Sequence, residues 1–175
     1  MAVDASLQMP PAGALLASWN PVPTAHLHCV RLEEDIRDGL QSVRLQQPTL
    51  AQRRHLLELS TQVGVQHAFL GFPAASAVER ERCLALAEHV TQRQLRIEPV
   101  FMARAVESDV LAILKLREQS QAPVAADIFI GVSDLRLQVE GWSRAQVISK
   151  LERACALARR ENLPFRLSYE DASRA

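Results

Sequence analysis

Between residues 29 and 169 the chain alternates short apolar runs with longer amphipathic ones, and this alternation limits the fold more than any other feature. CVRLEED (29–35), HAFLGF (67–72), RIEPVFMA (96–103), AADIFIGV (125–132) and PFRLSY (164–169) read as strands. TLAQRRHLLELSTQV (49–63), AVERERCLALAEHVTQ (77–92), ESDVLAILKLREQS (107–120) and SRAQVISKLERACALARREN (143–162) read as helices. Thr49 with Gln52, and Ser143 with Gln146, have the spacing of capping boxes, and Gly64 ends the first helix. Pro99 is awkward inside a central strand, because it has no N–H to give to a ladder. Strand–helix alternation with short connections predicts a parallel sheet with right-handed crossovers.

Five strands and four helices of this kind suit two architectures. One is an open, doubly wound sheet; the other is the first part of a (β/α)8 barrel, which needs about 250 residues when complete. A nucleotide-binding sheet would show a glycine-rich turn after its first strand, whereas RDGLQSVRLQQP contains one glycine. The expected fold class is α/β over residues 26–175, with the pattern alone leaning slightly to a (β/α)8 TIM barrel truncated to about its first five strands and leaving the open sheet as the alternative. Residues 1–25, with Pro10, Pro11, Pro21 and Pro23, read as a flexible N-terminal extension.

Charge and cysteine usage remove several function classes. Lys and Arg number 20 and Asp and Glu number 20, so no global field draws the chain onto nucleic acid or an anionic membrane. No apolar run approaches the roughly 20 residues that span a bilayer. Residues 1–25 hold no Lys or Arg and lack the layout of a secretory signal, which points to a cytoplasmic protein. Cys29, Cys83 and Cys155 make neither a disulfide framework nor a zinc motif and read as small core hydrophobes.

In both architectures function gathers where the strands end. That rim holds Arg37, Asp38 and Gln41 after strand one, GFPAAS (71–76) after strand two and Arg104 after strand three. Ser133, Asp134 and Arg136 follow strand four, and SYEDASR (168–174) runs out of strand five. Arg37 and Asp38 would point to opposite faces in a strand, but Gly39 lets the backbone turn so that both can face the barrel mouth. A carboxylate there can bind a divalent cation, and a guanidinium can hold developing negative charge. Taken alone, RDG also fits an ordinary charged turn.

Four segments in register go further. RDGLQ, GFPAAS, FIGVSDLR and SYEDASR resemble the DRE-TIM metallolyase superfamily, and most of all the 2-isopropylmalate and homocitrate synthases, over about residues 30–174. The resemblance implies a metal-dependent acyltransferase that condenses acetyl-CoA with a 2-oxo acid in amino-acid biosynthesis. It implies Asp38 as a ligand of Mg, Mn or Zn, Arg37 as the cation at the reacting oxygen, and Glu170 in the catalytic site. Gln41, Arg104, Ser133, Arg136, Asp171 and Arg174 would line the substrate site. Relatives of this kind are often dimers, so the resemblance implies a homodimer, and it places the family's His-x-His metal pair on strand seven. A second chain or a further C-terminal segment is therefore expected to supply strands six to eight, and this portion alone is not expected to be active.

Two other readings stand beside it, a hydroxymethylglutaryl-CoA-lyase-like carbon–carbon lyase and a non-catalytic half-barrel that binds or regulates. Glu33, Glu34, Asp35 and Ile36 stand where the synthases read Asp-Thr-Thr-Leu, Phe69 where they carry an acid, and Arg136 where many have histidine. His26 and His28 look like a metal pair but precede strand one. His28 and Asp38 are separated by ten residues, roughly 30 Å along an extended strand, at the wrong end for the mouth. His55, His67 and His89 read as surface or core residues rather than ligands.

Overall fold

The computed structural model describes residues 32–41 and 46–175. The expected extension, His26, His28 and the start of the first strand lie outside them. The elements run β1 (Glu33–Asp35), α1 (Ile36–Gly39), α2 (Leu50–Gln62), β2 (His67–Gly71), α3 (Ala77–Gln92), β3 (Glu98–Arg104) and α4 (Glu107–Ser120). Then come β4 (Ala125–Gly131), α5 (Asp134–Glu140), α6 (Arg144–Arg160), β5 (Phe165–Glu170) and a 3-10 turn over Ala172–Arg174. Both capping boxes form, at Thr49–Gln52 and at Ser143–Gln146. Gly64 follows the end of α2 in a left-handed conformation, with φ at 86°.

The strands form one sheet in the order β1-β2-β3-β4-β5, and every neighbouring pair is parallel. That order excludes the doubly wound alternative, which needs the strand order to reverse. Successive right-handed crossovers in one direction lay the helices on the same face. In agreement, α2 packs on α3, α3 on α4, and α4 on α6. Between sheet and helices lies the main core, where Ala68, Leu70, Phe101, Ala103, Ala126, Ile128 and Ile130 meet Leu57, Leu86, Val110, Ile113 and Leu157.

The alternate residues face the other way. There Phe69, Val100 and Ala125 form a second, small cluster with Met102 against it. Arg166 on β5 binds Glu33 on β1, Nη1 lying 3.0 and 2.8 Å from the two carboxylate oxygens. In a flat sheet those strands would be about 19 Å apart, too far for the two side chains to meet. The sheet is curled, and its concave face is the inside of a half-barrel.

Pro99 is tolerated because of the register. It pairs with Ala68 on β2, while pairing with β4 begins one residue later, at Val100 with Ala125. Its missing N–H is therefore not taken from a formed ladder.

Two glycines make opposite demands. A Cβ on Gly71 would lie 2.6 Å from both Cys83 Sγ and Glu79 Oε1, so glycine lets β2 approach α3 closely. A Cβ on Gly39 would meet nothing within 4 Å, and its φ is not positive, so the turn there does not depend on glycine's freedom. Gly71→Ala is expected to cost about 1–3 kcal/mol by overpacking. Gly39→Ala should leave stability unchanged or raise it by up to about 1 kcal/mol. Urea titration of both variants measures the contrast.

Candidate functional site at the strand ends

After β1 the chain makes a helical turn, α1, rather than an open loop. The cause is Asp35, whose Oδ1 accepts a hydrogen bond from the backbone N–H of Asp38 at 2.8 Å and so caps the turn. Asp38 projects outward with its side chain 70% exposed. Arg37 is mostly covered, with Nη2 at 3.8 Å from Asp35 Oδ2 and 3.5 Å from Asp38 Oδ1. Its Nε is buried and has no hydrogen-bond partner among the described residues. The arginine is thus loosely paired and can still donate.

The arginines across the mouth are committed. Arg104, the last residue of β3, grips Asp109 through Nε at 2.7 Å and Nη2 at 3.0 Å, and its guanidinium lies 5.6 Å from the centre of the Phe72 ring. Asp109 is fully buried in α4, so this bidentate pair fixes the end of β3 to the next helix. Arg136 pairs with Glu140 at 3.2 Å. Arg104, Arg136 and Glu170 line one recess of about 250 Å³ with Phe129, Trp142 and Lys150, whose Nζ stands 4.7 Å over the Trp142 ring.

The segment after strand four forms a short helix that the sequence reading did not assign. Asp134 and Arg136 belong to α5, capped by Ser133, whose Oγ accepts from the Arg136 backbone N–H. Gly141 ends α5 at a φ of 67°. Serine, then aspartate in the first turn, then glycine after about two turns is a helix signature that could have been read from SDLRLQVEG. Ser133 Oγ also lies 3.3 Å from Asp171 Oδ2, which ties α5 to the left-handed residue that ends β5. Gln41 and Arg174 are exposed. The structure therefore sorts the expected residues into two groups, Arg37 with Asp38, and Arg104 with Ser133, Arg136, Glu170 and Asp171.

Sequence reasoning missed Asp127. It sits in the middle of β4 on the concave face, buried, and Oδ1 has no partner among the described residues. Burial pushes its carboxyl above the usual aspartate range; the Ser168 hydroxyl, Arg166 and Arg37 oppose that shift, and Asp35 adds to it. The available signal was an acid inside the most apolar strand, AADIFIG.

The histidines serve the scaffold. His89 is buried and meets Glu58 Oε1 at 3.0 Å, joining α3 to α2, while His67 meets Glu98 Oε2 at 2.8 Å where β2 and β3 begin. Burial drives the Cys83 thiol strongly upward, which leaves it a neutral core side chain. Among the described residues no group of three or more His, Cys, Asp or Glu could hold a metal ion. The donor set described does not by itself fit a resident cation; Asp38 supplies one carboxylate at the mouth. No helix of the described residues is long and apolar enough to cross a membrane.

Comparison with known proteins bears on this arrangement. The HMGL-like family profile matches residues 31–175, which takes in every element described. No curated protein matches the chain. Among solved structures it is similar to the mandelate racemase/muconate lactonizing protein from Herpetosiphon aurantiacus, at 12% identity and a TM-score of 0.34. That alignment covers 80% of this chain and 46% of the other, so the chain spans less than half the length of that protein.

Asp127 gives the site a pH signature. Below about pH 4, the ordinary aspartate value, the carboxyl is protonated both folded and unfolded and carries no penalty. As pH rises through the raised folded value, ionisation must occur in a poorly solvated place and stability is lost. Asp127→Asn removes that titration. The variant is expected to gain stability relative to wild type between about pH 4 and pH 7. Denaturant midpoints measured across that range check it, and a difference that fails to grow with pH contradicts it.

Proposed function

This chain belongs to the HMGL-like family, within the DRE-TIM metallolyase superfamily, and from that premise we propose that it contributes the first five strands of a barrel catalysing a Claisen condensation of the 2-isopropylmalate or homocitrate synthase type. In that reaction acetyl-CoA loses a methyl proton, the enolate carbon attacks the keto carbon of a 2-oxo acid, and negative charge gathers on the keto oxygen. The observation that carries the reading is Arg37, a covered guanidinium at the end of β1 whose Nε still has a hydrogen bond to give. A fixed cation where charge develops acts in the transition state without reorganisation, and removing one such donor costs about 100- to 1,000-fold in rate.

The other mouth residues take supporting roles in this proposal. Gln41 lines the substrate site from the β1 side. Glu170 and Asp171 at the end of β5 and Ser133 before α5 order the opposite wall of the substrate site, which Arg104 and Arg136 line while paired to Asp109 and Glu140, with Arg174 toward the anionic parts of the substrates. Glu170 is the feature that favours condensation over lyase cleavage, since the run SYEDASR resembles the synthases.

Superfamily members use a divalent metal, and Asp38 would give one carboxylate to such an ion. Strands six to eight, with the remaining metal ligands, come from a further segment or a second polypeptide, in a homodimeric assembly. Two features support a missing neighbour. β5 is the last strand of the sheet, and its outward Leu167 and Tyr169 are 37% and 51% exposed.

The test uses the chain together with the strands that complete it. Thiol release from acetyl-CoA is followed across 2-oxo acids with Mg, Mn or Zn. Arg37→Ala should lower kcat by about 100- to 1,000-fold, and Asp38→Ala should abolish the dependence on added metal. Rates unchanged in both variants would refute the proposal. Cleavage of a 3-hydroxyacyl-CoA without condensation would assign the lyase reaction instead, and turnover of neither by a folded barrel would leave a binding or regulatory half-barrel.

A further inference from the structure

The sheet has two open flanks, and the one at β1 carries specific demands. Among the described residues β1 pairs only with β2, so its other edge has backbone groups to give. Beside it, α2 turns three sides to three surroundings. Arg53, Leu57 and Ser60 are buried against the sheet. Arg54 and Glu58 reach α3, where they meet the Ala85 carbonyl and His89. Leu56, Leu59 and Val63 recur at the three- and four-residue spacing that lines one side of a helix, turned away from α3. All three are exposed, as is Leu32 just before β1. Glu34 lies on the same flank. Glu33 points into the concave side, where it binds Arg166, so Glu34 points the other way, toward the helix layer. Its Oε2 is buried and has no hydrogen-bond partner among the described residues. Buried acceptors are normally satisfied, so a donor is wanted there.

The curvature sets the size of the neighbour that fits. Arg166 and Glu33 meet across the interior although their strands are four steps apart in the sheet. In a ring of eight strands the first and fifth face each other, which leaves room for three more. A second copy of this chain would bring five, and the wider ring of ten would carry β1 and β5 out of each other's reach. The packing of α2 on α3 and of α3 on α4 shows how a further helix would lie against α2. We propose that the flank formed by β1 and α2 is the docking surface for the last strand–helix unit of a three-strand segment. The strand of that unit pairs in parallel with β1, and its helix lays an apolar stripe on Leu56, Leu59 and Val63. One of its side chains donates a hydrogen bond to Glu34. This deepens the condensation reading, on which the three further strands rest, by stating where the barrel closes and what the closing helix carries.

The chain is co-expressed with a polypeptide carrying strands six to eight of a 2-isopropylmalate synthase, and sedimentation measures stoichiometry and affinity. The chain alone should sediment as a monomer, and the two polypeptides as an equimolar complex. Leu59→Arg and Val63→Glu should each weaken the complex about tenfold or more, because a charge is then buried against an apolar stripe. Neither should lower the denaturant midpoint of the chain alone, since both positions are exposed in it. Glu34→Gln, of equal size and uncharged, should weaken the complex about tenfold. A dimer of the chain alone that Leu59→Arg dissociates assigns the surface to a second copy and overturns the proposal. Absence of any complex, or a complex indifferent to Leu59→Arg and Val63→Glu, overturns it too, and indifference to Glu34→Gln removes the donor. Thiol release from acetyl-CoA is scored separately. A complex that forms as described but condenses nothing retracts the reaction and keeps the surface; condensation by a complex indifferent to the variants does the reverse.

Discussion

The structure depends on the direction of its crossovers. Each right-handed connection adds the next parallel strand on the same side, so the helices share one face of the sheet and leave the other without cover. A parallel sheet is not stable with one face open to water, and this one curls. The Arg166–Glu33 bond records how far, since residues 133 positions apart on the first and last strands meet across the concave side. The alternation of side chains along each strand then separates two environments. Ala126, Ile128 and Ile130 of β4 enter the helix-facing core, and Asp127 enters the concave side.

The mouth of that concave side holds several arginines whose sequence contexts look alike but whose electrostatic states differ. Arg104 is clamped by a buried aspartate and Arg136 by a glutamate one helical turn on. Each has given its charge to the scaffold, which stabilises the ends of β3 and α5. Arg37 has only long contacts to Asp35 and Asp38, and its Nε is unpaired among the described residues. A cation that is covered but not neutralised is the kind of group that responds to a ligand's charge. Position at the strand ends alone does not separate it from the others; the hydrogen bonds do.

Much of the scaffold was legible in the chain because its signals are local. Capping boxes join residues three apart, and Thr49–Gln52 and Ser143–Gln146 formed as spaced. The failures came where a local rule had more than one solution. Gly39 was expected to let the backbone turn, but Asp35 supplies a cap and the backbone turns as a helix, in which glycine's extra freedom is not used. Ser133 and Gly141 bracket a helix at Asp134–Glu140 that the alternation of longer elements does not reveal. Pro99 looked unfit for a central strand until the register showed that β4 begins just beyond it.

By itself the sequence determined the succession of strands and helices, the placement of RDGLQ, GFPAAS and SYEDASR at strand ends, and through them the family. These follow from spacing along the chain, which a reader of residues can count. Only the tertiary structure decided that the sheet is sequential and curled, that Arg104 and Arg136 are spent while Arg37 is not, and that Asp127 faces the same interior as Arg37. The physical reason is range. Periodicity tells which way a side chain points from its own strand, but the group it meets belongs to a strand brought opposite by curvature, and no local spacing encodes that distance.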